Sequence, residues 1–166
     1  MEYLSVFDSN KRNLNKMVMR CQKLKEGEYY LISETCIISN NGLLITLRAS
    51  TKETDPNKWD IIGGHVRFGE TSREAAQREI KEELGVKINI NDLIYMRTEQ
   101  NDKLFSDLYL LNMTLDLNQI EYQKDEIAAI KVVDSKEFLQ MLESKCFSEN
   151  VTNRLKKSLD VILCYM

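Results

Sequence analysis

The chain has 166 residues, of which 43% are apolar and 30% charged, and its net charge is −3. That length and composition suit one globular domain with a proper core, spanning 1–166, and exclude a disordered or fibrous chain. The mild negative charge argues against a general nucleic-acid binder, apart from a local basic patch, and no apolar run approaches the length of a membrane span.

Four cysteines, Cys21, Cys36, Cys146 and Cys164, show no C-x-x-C spacing, and the chain has a single histidine, so a zinc site is not expected. Reduced thiols in a cytoplasmic protein are the expectation. The opening MEYLSVFDSNKR lacks the apolar core of a signal peptide.

Glu2 to Phe7 reads as a strand, turned by Asp8-Ser9-Asn10. Lys11 to Lys25 is basic, with Val18 in a second strand; it reads as a solvated edge, with contact to an anionic substrate as the alternative. Residues 1–28 would then be a ribbon appended to the core, one that could pair across a homodimer. Tyr29 to Ser39 and Leu43 to Arg48 are β-branched or aliphatic runs joined by Asn40-Asn41-Gly42, a strong hairpin signal because Asn and Gly tolerate positive φ. Arg48, at the strand end, either faces a phosphate or forms a salt bridge. A polar loop, 49–57, holds the only proline. Lys58 to Ile62 is a short strand running into Gly63-Gly64, with Trp59 favoured as a packing residue over a base platform.

The stretch from Gly64 to Val86, GHVRFGETSREAAQREIKEELGV, carries the chemistry. Thr71 to Leu84 reads as a helix: Thr71-Ser72-Arg73-Glu74 is a capping-box pattern, and Gly85 suits a left-handed C-terminal cap. Ala76, Ile80 and Leu84 recur every four residues as the buried stripe. Glu79, Glu82 and Glu83 fall at i, i+3 and i+4 and share a face, where like charges repel unless a hard cation sits among them. Arg78 is spaced to reach Glu74 and Glu82. Four of the six glycines, Gly63, Gly64, Gly69 and Gly85, frame this helix. A solvated acidic stripe is the bland alternative; the strand, glycine loop and carboxylate helix together favour a platform for metal and phosphate.

After the helix, Val86 to Ile90, Leu93 to Glu99, Leu104 to Met113 and Ile127 to Val133 read as strands, with 100–103 a hairpin loop and 116–124 a polar connection. Asp134 caps a helix over 135–144, and Ser148 or Asn150 starts a final helix through Leu163. The order predicts an α+β fold with helices on both sides of a mixed sheet.

Gly64, Glu70, Arg78, Glu79, Ile80, Glu82, Glu83, Gly85 and Val86 fit G-x5-E-x7-R-E-U-x-E-E-x-G-U, where U is aliphatic, at every fixed position. This resembles the Nudix box. The resemblance implies an α/β/α sandwich and a hydrolase using Mg²⁺ or Mn²⁺ to cleave the pyrophosphate bond of a nucleoside diphosphate derivative or related diphosphate. It implies Glu82 and Glu83 as central metal ligands, Glu79 as a further ligand or general base, and the Gly63 carbonyl as a backbone ligand. It also implies that Glu70 supports the loop and that Arg78 orients a glutamate. Asp125 and Glu126 are candidates for an acidic ligand outside the box, with Glu126 favoured. Arg67, where many relatives have an acid, contacts a phosphate or pairs with a surface carboxylate. His65 is a loop residue or a contact to substrate or metal.

EYLSVFDSN, GEYYLISETCIIS, LLITLRAS and KWDIIGGHVRFGET look like the branch related to isopentenyl diphosphate isomerase. In those enzymes a catalytic cysteine stands where this chain has Gly63, and several histidines bind metal where this chain has only His65. Hydrolysis is therefore favoured over isomerisation, and a nucleotide-binding module without catalysis is the other alternative. Specificity is expected from loops 49–57, 100–103 and 114–125, which carry no readable motif.

Overall fold

The computed structural model describes residues 2–166; Met1, where the expected ribbon begins, lies outside them. β1 (Tyr3–Phe7) and β2 (Asn13–Met19) pair antiparallel as a hairpin. β3 (Tyr30–Ser39) and β4 (Gly42–Arg48) form a second hairpin, with Asn40 and Asn41 both at positive φ in the two-residue turn. Then follow β5 (Trp59–Asp60), β6 (Ile62–His65), α1 (Ser72–Leu84), β7 (Ile94–Asn101), β8 (Leu104–Asn112), β9 (Ile127–Val133), α2 (Ser135–Glu143), α3 (Glu149–Lys157) and α4 (Leu159–Tyr165).

Alternation along the strands dictates the layers. Cys36 and Ile38 of β3, Leu43 and Ile45 of β4, and Leu108 and Leu110 of β8 pack with Phe138, Leu155 and Ile162 of the three C-terminal helices. The intervening Ile37, Leu44, Tyr109 and Leu111 pack with Ala76, Ile80 and Leu84 of α1. A sheet apolar on both faces must be covered on both. The result is the expected α/β/α sandwich around a mixed sheet, in which β3 and β8 run parallel and the other pairs antiparallel.

One topological detail creates the site. β3 and β4 pair only near their turn, at Ile37–Ser39 and Gly42–Leu44. Beyond it they splay, and the 59–65 segment fills the wedge: β5 pairs with β4, and β6 with β3. The expected single strand over 58–62 is therefore two strands, and Gly63-Gly64 lie inside β6 opposite Glu34 and Ser33 rather than after a strand end.

Two other expectations give way to side chains that take backbone partners. Val86 to Ile90 is not a strand, although Val86, Ile88 and Ile90 do pack against the α1-side core. Gln77 donates to the Ile88 carbonyl at 2.9 Å and Arg73 to the Ile90 carbonyl at 3.1 Å, so α1 occupies acceptors that a strand partner would use. The final helix is capped by Ser148 as expected but breaks at Ser158. Arg97 donates to the Lys157 carbonyl at 2.7 Å, capturing the acceptor that an unbroken helix would offer to residue 161.

The N-terminal hairpin is tied to the rest by both hydrogen bonds and packing. Leu4, Val6 and Val18 are buried with Leu24 and Tyr30 against them. Ser5 N–H donates to the Val66 carbonyl, Phe68 N–H to Tyr3, and Phe7 and Tyr29 exchange two backbone bonds of 2.9 Å. No described helix is long and apolar enough to cross a membrane, and the four cysteines are free.

Candidate metal and diphosphate site

The acidic helix is fixed at both ends. Thr71 Oγ1 accepts from Glu74 N–H at 3.2 Å while the Glu74 carboxylate accepts from Thr71 N–H at 2.8 Å, the full capping box. At the other end Gly85 takes a left-handed φ of 70° and donates to the Lys81 carbonyl. Ala75, Ala76, Ile80 and Leu84 are buried, which turns Glu79, Glu82 and Glu83 toward the 63–67 segment.

These three glutamates line one polar cavity of about 220 Å³ together with Gly63, Gly64 and His65 of β6. Arg48, Arg67 and Glu126 border the same cavity, whereas Arg78, Glu70 and Asp125 stand outside the lining. Helix and strand approach closely at Gly64: a Cβ there would overlap the Glu79 carboxylate, whose Oε2 lies 2.9 Å from that position. At Gly63 a Cβ would meet the Ser33 carbonyl oxygen at 2.7 Å and Glu34 Cγ at 2.9 Å. At Gly63 the obstacle is backbone, and at Gly64 it is the movable end of the Glu79 side chain.

Arg78 organises the wall behind the cavity. Its guanidinium donates to Glu70 Oε1 at 2.7 Å and Oε2 at 3.0 Å, to Glu79 at 2.6 Å, to Glu82 at 3.1 Å and to the His65 carbonyl at 2.9 Å. The expected contact with Glu82 is present. Glu74 is engaged in the capping box, and Glu70 takes the place expected for it. Glu70 also accepts from Arg67 N–H at 3.0 Å, closing the 67–70 loop. Burial opposes charge on Arg78, but its hydrogen bonds to Glu70 and the charge of Glu79 raise its pKa further above the ordinary arginine value.

The remaining candidates sit in specific contacts. Arg67 grips Glu82 with two bonds of 2.9 and 3.1 Å and donates to Glu2 at 2.9 Å. Arg48 spans Asp60 at 3.2 Å and the Thr54 carbonyl, which takes two bonds of 3.1 and 2.9 Å. Glu126 pairs with Lys52. His65 stacks edge-on against Tyr30 with centroids 5.8 Å apart, and Trp59 packs partly buried against the core.

The electrostatics separate the three helix carboxylates. Burial, then the charges of Glu79, Asp60 and Glu126, push the Glu83 carboxyl well up, with Lys52 opposing. Burial likewise raises Glu79, against the pull of Arg78. Glu82 goes the other way: partial burial is outweighed by bonds from Arg67 and by Arg78, which lower it. Burial, then Arg20, depresses His65 to about 4, so its imidazole is neutral at neutral pH.

Among the described residues, no three acidic, histidine or cysteine groups form a ready cation cage; Glu79, Glu82 and Glu126 are each held by an arginine or lysine. The donor set nevertheless fits a hard divalent ion. The donors are carboxylate and backbone oxygens. Glu83 sits among acidic neighbours whose mutual repulsion a cation would offset. The glycine at 64 leaves the Glu79 carboxylate its space.

Four lining residues were not among the sequence candidates: Glu2, Arg20, Lys52 and Gln123. Lys52 and Gln123 lie in two of the three loops from which specificity was expected, while 100–103 contributes no lining residue, and Arg20 lies in the basic run. Glu2 carried no signal, because only the docking of β1 beside Arg67 brings it here.

Comparison with known proteins places the chain in a family and a fold. The Nudix domain family model matches residues 31–153. An uncharacterized Nudix hydrolase of Listeria innocua is 35% identical over 146 residues, covering 87% of this chain and 86% of the relative. The nucleoside triphosphatase NudI of an Enterobacter species is 46% identical over 55 residues, 32% of this chain and 39% of the relative. Among solved structures, DR0079 from Deinococcus radiodurans superposes with a TM-score of 0.75 at 18% identity, covering 94% of this chain and 98% of that one. With its complete box folded on this sandwich, the chain belongs to the Nudix hydrolase family.

Proposed function

We propose that the protein is a divalent-metal-dependent hydrolase of a diphosphate bond in a nucleoside diphosphate derivative or related small diphosphate. One observation carries the reading: Gly63, Glu79, Glu82, Glu83 and Glu126 border a single cavity. Glu82 and Glu83 would hold Mg²⁺ or Mn²⁺, joined by the Gly63 carbonyl, Glu126 and, if it is not the base, Glu79. Such an ion neutralises charge on the diphosphate and lowers the pKa of bound water. Arg78 acts by positioning, since its bonds to Glu70, Glu79, Glu82 and the His65 carbonyl lock helix to loop. Glu79, half buried against Gly64, is the group able to take a proton from the attacking water or to extend the ligand set. His65, neutral and edge-on to Tyr30, supports the loop.

Isomerisation is disfavoured by the crowding at Gly63, where a catalytic cysteine would need the volume of the Ser33 carbonyl. The relative named as a nucleoside triphosphatase is in keeping with phosphoanhydride chemistry. The protein is expected to work as a soluble cytoplasmic enzyme. A panel of dinucleotides, nucleotide sugars and nucleoside di- and triphosphates, run with Mg²⁺, Mn²⁺ or chelator, tests the reading. Turnover that stops with chelator supports it. No turnover with either metal would contradict it and leave ligand binding without catalysis, detectable as a thermal shift.

A further inference from the structure

The N-terminal hairpin precedes the segment matched by the family model, yet Glu2 and Arg20 line the same cavity as the helix glutamates. The hairpin is held there rather than draped. Arg20 N–H donates to the Glu2 carbonyl at 3.0 Å, Gln22 N–H to the Met19 carbonyl at 3.0 Å, and Tyr30 Oη to the Gln22 carbonyl at 2.6 Å. These bonds fix the turn that carries Arg20. The side chain itself remains about half exposed, at 53%, and its NH1 contacts Glu2 Oε2 at 2.9 Å.

The other arginines of the cavity are more heavily engaged. Arg48 is bound on three nitrogens by Asp60 and Thr54. Arg67 is bound on three by Glu2 and Glu82, and Lys52 is paired with Glu126. Arg20, by contrast, makes one side-chain hydrogen bond among the described residues, to Glu2, for five guanidinium donors. Arg20, Glu2, Arg67 and Tyr3 also border the open groove beside the cavity, which sets Arg20 at its mouth. Among the described residues only polar and charged side chains and glycines line the cavity itself, and the aromatic surface that a base would draw on is confined to Tyr3 at its mouth.

We infer that Arg20 is a specificity residue, which grips a phosphate beyond the scissile diphosphate, so that the preferred substrate carries at least three phosphoryl groups. This rests on the cavity being the diphosphate site proposed above. Glu2 is a positioning residue that aims Arg20, and the two additional charge-assisted bonds an extra phosphate can accept explain why a longer chain is favoured.

Calorimetric titration in Mg²⁺ with methylenediphosphonate and with the bis-methylene analogue of tripolyphosphate tests this without turnover. The wild-type protein is expected to bind the three-phosphorus analogue about tenfold or more tightly. Arg20→Gln should collapse that ratio toward one, and Arg20→Lys should restore part of it; unchanged melting curves would show that the fold is intact. Equal binding of both analogues by wild type, or an undiminished ratio in Arg20→Gln, overturns the inference. If the ratio behaves as expected while no diphosphate is hydrolysed, the hydrolase reading fails alone; if diphosphates are hydrolysed and the ratio is flat, the inference fails alone.

Discussion

Gly64→Ala isolates the contact between strand and acidic helix. Gly64 is not among the positive-φ glycines, so alanine fits the backbone there. The added methyl falls on the end of the flexible Glu79 side chain rather than on backbone. The fold therefore tolerates it, at a cost of about 1 kcal/mol. The carboxylate does not: Oε2 is 2.9 Å from the new carbon, its other two atoms are closer, and ordinary contact is about 3.5 Å. Glu79 must retreat by about 1 Å, a displacement that costs on the order of a hundredfold in rate when it affects a reacting group. The assay is steady-state turnover on the best substrate of the diphosphate panel, with thermal melting in parallel. A fall in kcat of about a hundredfold with melting within a few degrees of wild type is expected. Unchanged kcat would refute the idea that Glu79 must lie against Gly64 to work.

Other substitutions follow from the same geometry. Glu83→Gln removes a charge that burial and three acidic neighbours oppose, so the metal-free protein should melt no lower than wild type, while turnover falls about a thousandfold; a lower melting point would contradict the electrostatics. Arg78→Lys keeps the charge but not the fork that reaches Glu70, Glu79 and Glu82, and should cost 10- to 100-fold, roughly, in activity or metal affinity by titration. Arg154→Ala leaves Glu34, whose side chain is 6% exposed, without its ion-pair partner and should destabilise by about 3–5 kcal/mol in urea unfolding. His65 has its pKa lowered to about 4 when folded, so between that value and about 6.5 only the unfolded chain binds the proton, and stability falls as pH falls through this window. Lowering pH from 7 to 5 should therefore cost metal-free wild type about 2 kcal/mol more than His65→Gln, measured by urea unfolding at the two pH values.

The layers of the fold were legible in the sequence because alternation in Tyr30–Ser39, Leu43–Arg48 and Leu104–Met113 is a local property that pairing does not change. The capping box and the C-terminal glycine were legible for the same reason. What escaped depended on partners distant in sequence. Val86–Ile90 alternates as a strand would, but Gln77 and Arg73 take its carbonyls. The final helix reads as continuous until Arg97, sixty residues earlier, removes an acceptor at Lys157. The shared face of the helix glutamates was legible from their spacing, but reading it as a metal platform needed the glycines that frame the helix. Arg20 and Glu2 were not, since only the docking of β1 onto the 66–68 segment carries them to the cavity.

The central claim is that the α1 carboxylates bind the divalent ion used in hydrolysis. Mn²⁺ titration followed by loss of its free-ion resonance, with turnover measured in the same samples, tests it most directly. Wild type should take up Mn²⁺ and gain activity in step with it, and Glu83→Gln should lose both. Equal Mn²⁺ uptake by Glu83→Gln, or turnover that persists after chelation, would contradict it.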